Sequence, residues 1–139
     1  MRHDSAQTVL VVDDHTPVRR LIIRMLGRCG FKTLEAGTGA QALALFQDAR
    51  ATIDLAIIDM LMPNMSGLDV AAELGRQYPE VKILYLSGHP GSIAIDCIRR
   101  RAPEHLLLKP FTEQSLVDRV SSLLARDDHQ TVSSASEPV

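Results

Sequence analysis

The chain has 139 residues, of which 45% are hydrophobic and 23% are charged, and these proportions are ordinary for one globular domain with its own core. Its formal net charge of −2 gives no reason to expect binding to nucleic acid or to anionic membranes through bulk charge. No segment approaches the roughly 18 apolar residues of a membrane span, and the N-terminus lacks the apolar core of a signal peptide. We therefore expect a soluble cytoplasmic protein in which Cys29 and Cys97 are free thiols, and Cys29 is expected to be a small core residue.

Five short apolar runs predict strands that are buried on both faces of a sheet. In chain order they are Val9–Val12, Phe31–Glu35, Leu55–Asp59, Val81–Leu86 and His105–Leu108. They alternate with segments of helical periodicity, and this alternation predicts an α/β domain with a parallel sheet and right-handed crossovers. The domain is expected to cover residues 8–125, between an N-terminal tail of residues 1–7 and a polar, flexible tail of residues 126–139.

The helices between these strands have recognisable ends. Gly30 is predicted to end the first helix. Thr38, Ser66 and Thr112 are placed to cap the N-termini of the second, third and fifth helices. The fourth helix, Ile93–Arg101, is the shortest and the weakest of these predictions.

Charged side chains follow three of the predicted strands. Asp13 and Asp14 come directly after the first strand, Asp59 ends the third, and Lys109 follows the fifth. Because the carboxyl ends of parallel strands meet at one edge of the sheet, we expect these groups to converge there. Three carboxylates and one ammonium group indicate a divalent cation and phosphate chemistry. The alternative for Asp13 and Asp14 is that they only cap the first helix.

These motifs resemble the receiver domain of two-component response regulators. The matching features are the pair Asp13-Asp14, the central Asp59 with Met62-Pro63 and Gly67 downstream, Ser87 at the end of the fourth strand, and Lys109-Pro110-Phe111. The resemblance implies a flavodoxin-like, doubly wound, five-stranded parallel sheet in the order 2-1-3-4-5. About five helices would cover its two faces in a three-layer α/β/α arrangement.

The resemblance also implies a function. Asp59 would accept a phosphoryl group from a histidine kinase or a histidine phosphotransfer protein, with Mg²⁺ as cofactor. The other implied site residues are the Mg²⁺ ligands Asp13, Asp14, Asp59 and the Leu61 carbonyl, the phosphate-contacting Lys109 and Ser87, and a cis Lys109–Pro110 peptide. The domain would be a signalling module that catalyses only its own phosphoryl transfer and dephosphorylation. Its fourth helix, fifth strand and fifth helix would form the face read by a downstream protein.

Two positions depart from the family pattern. Leu106 stands where the family usually has a Tyr or Phe, so the aromatic half of the Ser87–aromatic switch is absent. His89, two residues after Ser87, stands with Leu61 at positions that influence how long the phosphate survives in the family. No output domain fits in the remaining residues, and the segment Leu84–His89 resembles receivers of hybrid kinases, so both a stand-alone regulator and a receiver cut from a hybrid kinase stay open.

Three other functions fit the sequence less well. A phosphatase-type enzyme that phosphorylates an aspartate uses an Asp-x-Asp pair, and Leu61 stands where the second acid would be. A flavin- or nucleotide-binding module on the same fold would need a phosphate loop, and Gly37-Thr38-Gly39 lacks the Lys-Ser/Thr of such a loop. A non-phosphorylated docking module would not need the intact acidic set.

Overall fold

The computed structural model describes residues 6–48, 52–62, 66–88 and 92–136, with side chains up to residue 125. The strands are β1 (Thr8–Val12), β2 (Lys32–Ala36), β3 (Leu55–Asp59), β4 (Lys82–Ser87) and β5 (Leu106–Leu108). The helices are α1 (Thr16–Arg28), α2 (Gly39–Gln47), α3 (Gly67–Gln77), α4 (Ile93–Arg101) and α5 (Glu113–Ser136). The strands form one parallel sheet in the order β2-β1-β3-β4-β5, which confirms the predicted doubly wound fold.

The apolar strands are buried because the sheet has a hydrophobic core on each face. Alternate residues of a strand point to opposite faces, so Val9 and Val11 pack with residues of α1 and α5, such as Leu26 and Leu116. Leu10 and Val12 pack on the other face, in a cluster that includes Leu74 of α3. This arrangement explains why the central strands are continuous apolar runs. No helix in the described part of the chain is long and apolar enough to cross a lipid bilayer.

The predicted helix ends are found where the sequence places them. The Thr38 hydroxyl accepts a hydrogen bond from the Gln41 amide at 3.1 Å, and the Ser66 hydroxyl accepts one from the Asp69 amide at 3.2 Å. Gly30 has a φ of 93°, a left-handed conformation that favours glycine at the end of a helix. These local contacts determine the residues at which α2 and α3 begin and α1 ends.

The structure differs from the sequence-based expectation at two places. α5 continues to Ser136, whereas the polar composition predicted that the last helix ends near Arg126. Residues 126–136 contain neither Gly nor Pro, so nothing in their sequence breaks the helix. Cys29 and Cys97 are free thiols as expected, but Cys29, which was interpreted as a small core residue, is exposed just after α1.

The short strand β5 is anchored by side chains from two neighbours. A single 3₁₀ turn, Pro103–His105, leads into the strand. From α5, Arg119 Nη1 donates to the carbonyl oxygens of Pro103 at 3.1 Å, Glu104 at 3.4 Å and Leu106. His105 Nδ1 lies 2.6 Å from the carbonyl oxygen of Ile83 in β4. The start of β5 is therefore held against both α5 and the sheet.

The N-terminus of α3 lies against the end of β3 with no room for a side chain. The Gly67 amide donates to the Met60 carbonyl oxygen at 3.1 Å. A Cβ atom at Gly67 would lie 2.3 Å from the Asp59 carbonyl oxygen and 2.7 Å from Met60 Cα. These neighbours are backbone atoms of the strand end, so they cannot rotate away as a flexible side chain would.

We expect Gly67→Ala to destabilise the protein by about 1–3 kcal/mol, because the methyl group forces the strand and the helix apart. The matched control is Gly75→Ala on the same helix, where nothing lies within 4 Å of the new Cβ. Gly75→Ala should stabilise the fold by about 0.5–1 kcal/mol through helix propensity. Urea denaturation of both variants measures the difference, and equal effects would contradict the close approach.

Candidate functional site

Four polar side chains converge at the carboxyl edge of the sheet. Asp13 follows β1, Asp59 ends β3, Ser87 ends β4, and Lys109 follows β5. The strand ladder continues to this edge, because the Met60 amide bonds to Leu86 O at 3.0 Å and the Lys109 amide to Ser87 O at 2.8 Å. The site residues are thus attached to a hydrogen-bonded frame rather than to free loops.

Three carboxylates share this edge. One oxygen each of Asp13, Asp14 and Asp59 lies within 4.8 Å of the others. Asp13 is 0% exposed and Asp59 6% exposed, whereas Asp14 is exposed. The predicted acidic cluster therefore has two buried members and one that faces solvent.

Backbone amides orient the two buried carboxylates. The His15 amide donates to Asp13 Oδ1 at 2.9 Å, and the Leu61 amide donates to Asp59 Oδ1 at 3.1 Å. The second oxygens face the same cation, since Lys109 Nζ lies 3.8 Å from Asp13 Oδ2 and 3.7 Å from Asp59 Oδ2. In each carboxylate, one oxygen thus accepts a hydrogen bond from a backbone amide and the other is directed toward Lys109.

Burial raises the pKa of the Asp59 carboxyl from 3.8 to about 6. The hydrogen bond from the Leu61 amide and the charge of Lys109 oppose this shift, while the neighbouring Asp13 charge adds to it. Removing water from a carboxylate disfavours its charged form, and one ammonium group does not offset both the burial and the second acid. A further positive charge beside Asp59 would therefore stabilise its ionised form.

The donor set suits a magnesium ion. Asp13 Oδ2 is buried and has no hydrogen-bond partner among the described residues, although a buried carboxylate oxygen normally has one. All the candidate ligands are oxygen atoms, and Mg²⁺ is usually held by one or two carboxylates while it keeps several waters. The residues present therefore fit this ion, with Asp13, Asp14 and Asp59 as the groups that would hold it.

Arg19 is a residue of this region that the sequence reasoning missed. Its Nη1 donates to the Asp13 carbonyl oxygen at 2.9 Å, and its Nε donates to Glu35 Oε1 at 2.7 Å. The hydrogen bond to Glu35 lowers the pKa of that carboxyl. Arg19 thus ties the end of β1, through α1, to β2. The only sequence signal was an arginine on the first helix and an acid near the end of the second strand.

The remaining predicted residues are found at or near the same edge. Ser87 is buried, at 3% exposed, and Leu61 is 57% exposed at the mouth of the site. Leu106 is buried in a small apolar cluster with Met60 and Ile95. The Lys109–Pro110 peptide is cis, the conformation that the resemblance implied. His89 lies outside the described residues.

Comparisons with known sequences agree with this geometry. A sequence model described as the response regulator receiver domain matches residues 9–121. Sensor kinase CckA of Brucella abortus (strain 2308) is 31% identical over 125 residues, which cover 87% of this chain and 13% of that protein. The DNA-binding response regulator MtrA of Mycobacterium tuberculosis (strain H37Rv) is 32% identical over 124 residues, 89% of this chain and 53% of MtrA. The chain thus spans a small part of CckA and about half of MtrA.

Solved structures show the same fold. A CheY-like receiver domain protein from Methanospirillum hungatei JF-1 superposes with a TM-score of 0.81 at 21% identity, covering 91% of this chain and 99% of that one. The response regulator TrrA from Thermotoga maritima, solved in complex with Mg²⁺ and BeF, superposes with a TM-score of 0.70 at 29% identity, covering 84% and 98% of the two chains.

We expect Asp59→Asn to be more stable than the wild type near pH 7 in metal-free buffer. Because the pKa of Asp59 is raised on folding from 3.8 to about 6, its contribution to stability is complete below the unfolded value and is lost as the pH rises through the folded value. Thermal melts in a chelator at about pH 4 and about pH 7 measure this. The advantage of Asp59→Asn should vanish at the lower pH.

Asp69→Asn is the matched control, since Asp69 is an exposed aspartate in the first turn of α3. Added Mg²⁺ should reverse the order of stability, because a cation that binds more tightly when all three carboxylates are present stabilises the wild type more than Asp59→Asn. An equal advantage of Asp59→Asn at both pH values would contradict the burial of an ionisable group at this position.

Proposed function

The chain belongs to the family of response regulator receiver domains of two-component systems, and we propose that Asp59 is the residue that accepts its phosphoryl group. The donor is a histidine kinase or a histidine phosphotransfer protein, and the reaction takes place in the cytoplasm, where the ATP that charges such kinases is found. The observation that carries the proposal is the position of Asp59 Oδ2, which lies 3.7 Å from Lys109 Nζ and belongs to the cluster with Asp13 and Asp14.

In the transfer, an Asp59 carboxylate oxygen attacks the phosphorus atom of a phosphohistidine. The new O–P bond forms as the N–P bond to the imidazole breaks, and the ring, which carries a proton on its other nitrogen, leaves as neutral imidazole with the electron pair of that bond. Phosphoryl transfer requires mainly that charge be neutralised and that the groups lie in line. With a pKa of about 6, Asp59 is largely ionised at neutral pH and is available as the nucleophile.

Magnesium is the proposed cofactor. Asp14 and Asp59 would bind it directly, Asp13 would bind it directly or through a water molecule, and the Leu61 carbonyl would complete the protein ligands. The bound ion would screen the negative charges that the phosphoryl group brings to the carboxylates. Asp13 Oδ2 supports this assignment, because this buried oxygen accepts no hydrogen bond among the described residues and the ion would supply it with a close partner in addition to Lys109 at 3.8 Å.

Lys109 and Ser87 are proposed to contact the phosphoryl oxygens. Lys109 is already directed at the site by its two carboxylate neighbours, and as a compact ammonium group it can neutralise one oxygen. Ser87 is buried beside it at the end of β4, from where its hydroxyl can donate to another oxygen. The phosphoryl group adds roughly two negative charges, and these residues would draw β4 and the following loop toward it.

Loss of the phosphate is proposed to be a hydrolysis within the same site, so the domain acts as an enzyme only on itself. Leu61 is exposed at the site mouth, and with His89 it would control the access of the attacking water. The α4–β5–α5 face would pass the state of Asp59 to a downstream protein. The chain covers 13% of the sensor kinase CckA and 53% of the response regulator MtrA, so a separate output protein and a hybrid kinase are both compatible with this proposal.

Incubation with phosphoramidate and Mg²⁺ should add one phosphoryl group to the wild type and none to Asp59→Asn. Phosphoramidate carries an N–P bond like that of phosphohistidine, so the test does not require the kinase. Intact-mass spectrometry detects the label, and hydroxylamine should remove it because an acyl phosphate is reactive. Asp69→Asn should label like the wild type. Equal labelling of Asp59→Asn and the wild type would refute Asp59 as the acceptor.

Asp14→Ala should weaken Mg²⁺ binding at least about tenfold, because even indirect partners of a metal typically contribute 10- to 100-fold to affinity. Isothermal titration calorimetry gives the affinity, and thermal melts with and without Mg²⁺ give the stabilisation by the ion. Asp69→Ala, which removes an exposed carboxylate outside the cluster, should leave both unchanged. An unaltered affinity in Asp14→Ala would exclude its role as a ligand.

A further inference from the structure

The aromatic ring that is absent from β5 is present on the neighbouring strand. In the parallel register of β4 and β5, Tyr85 pairs with Leu106. Residues paired in register lie on the same face of a sheet, so the Tyr85 ring stands beside the Leu106 side chain. The chain therefore keeps an aromatic group at this place in the sheet although Leu106 is not one.

Tyr85 also connects the site edge with α4. Its side chain packs both against the core cluster that contains Leu74 and against the small cluster of Met60, Ile95 and Leu106. In the small cluster, Met60 directly follows Asp59 and Ile95 belongs to α4. Tyr85 precedes Ser87 by two residues on the same strand, and the period of two in a strand places both on one face. A displacement of Ser87 toward a phosphoryl group would thus be transmitted along β4 to this ring.

The ring has space in which to change its position. Tyr85 is half-buried, and burial alone raises the pKa of its phenol. On its outer side it lines a groove of about 450 Å³ between β4 and α4, together with Cys97, Ile98, Arg101 and His105. The ring therefore lies between two apolar clusters and forms part of the wall of an open groove.

We propose that Tyr85 is the positioning residue that couples phosphorylation of Asp59 to α4, in place of an aromatic residue in β5. This proposal rests on the proposed function. When Ser87 moves toward the phosphoryl group, β4 shifts, and the Tyr85 ring turns from the wall of the groove to pack more fully against Ile95 and Leu106. Without the ring on its wall, the groove allows the C-terminal part of α4 to approach the sheet. Burial of the rest of the ring favours this state.

The composition of the chain makes the test direct. The sequence has two tyrosines and no tryptophan, so 3-fluorotyrosine labelling gives two ¹⁹F resonances, assigned with Tyr85→Phe and Tyr78→Phe. Tyr78 packs on Phe46 with ring centroids 5.1 Å apart, in the cluster on the α2–α3 face, and serves as the internal reference. Addition of Mg²⁺ and beryllofluoride, which mimics the phosphoryl group, should shift the Tyr85 resonance and leave the Tyr78 resonance in place.

Two substitutions separate coupling from folding. In Tyr85→Leu, the beryllofluoride-induced shifts of the Ile95 and Ile98 amides should fall to less than half of the wild-type shifts, while labelling by phosphoramidate continues. Tyr85→Phe keeps the ring and should restore the shifts at α4. Loss of the α4 response in Ser87→Ala as well would place Ser87 upstream of the ring.

The outcomes distinguish the two proposals. If the Ser87 and Gly88 amides respond to beryllofluoride while the Tyr85 resonance does not move, or if Tyr85→Leu retains the full α4 response, the role of Tyr85 is refuted and the receiver function stands. If no resonance responds and no phosphoryl group is gained, the proposed function itself fails.

Discussion

Two buried carboxylates, Asp13 and Asp59, lie beside a single ammonium group, and this imbalance of charge governs the site. Lys109 is nearly equidistant from both, so it compensates one charge and leaves the other without a partner. The imbalance is expressed in the raised pKa of Asp59, whose burial disfavours the charged form. A divalent cation would offset it better than a proton, because it would leave the carboxylate ionised. The proposed binding of metal and the ionisation of Asp59 would then be linked.

The fold keeps the acids in place while it leaves one strand free to respond. Asp13 is fixed by backbone hydrogen bonds and by Arg19, and Asp59 is fixed by the Leu61 amide and by the close approach of Gly67. β5 is held at its start by Arg119 and His105, whereas the small cluster around Leu106, between β4, β5 and α4, is separate from the two main cores. A switch requires such a combination of a rigid site and a less tightly packed neighbour. Phosphorylation at the rigid acidic site can then displace the residues of the small cluster around Leu106.

The sequence predicted what depends on short-range patterns. The apolar runs gave the strands because both faces of the sheet are covered, and the caps at Thr38 and Ser66 gave the starts of their helices. The sequence could not show the unpaired Asp13 oxygen or the carbonyl contacts of Arg119, because both depend on strands brought together by the fold. The place of Tyr85 was hidden for the same reason, since only the register of β4 with β5 sets it beside Leu106. The length of α5 was missed because polar composition was given more weight than the absence of helix breakers.

The contacts of Arg119 affect the exposed edge of the sheet at β5. Alternate residues of β5 bond to β4, and because the Lys109 amide does so, the backbone groups of Leu106 point the other way, toward the open edge. An open edge is a template on which a strand of another molecule can pair. Here the outward carbonyl of Leu106 is already taken by the Arg119 guanidinium, and the strand is only three residues long. The arginine thus protects the β5 edge against sheet extension, so on this side of the domain an association between copies would be made by helices rather than by a pairing strand.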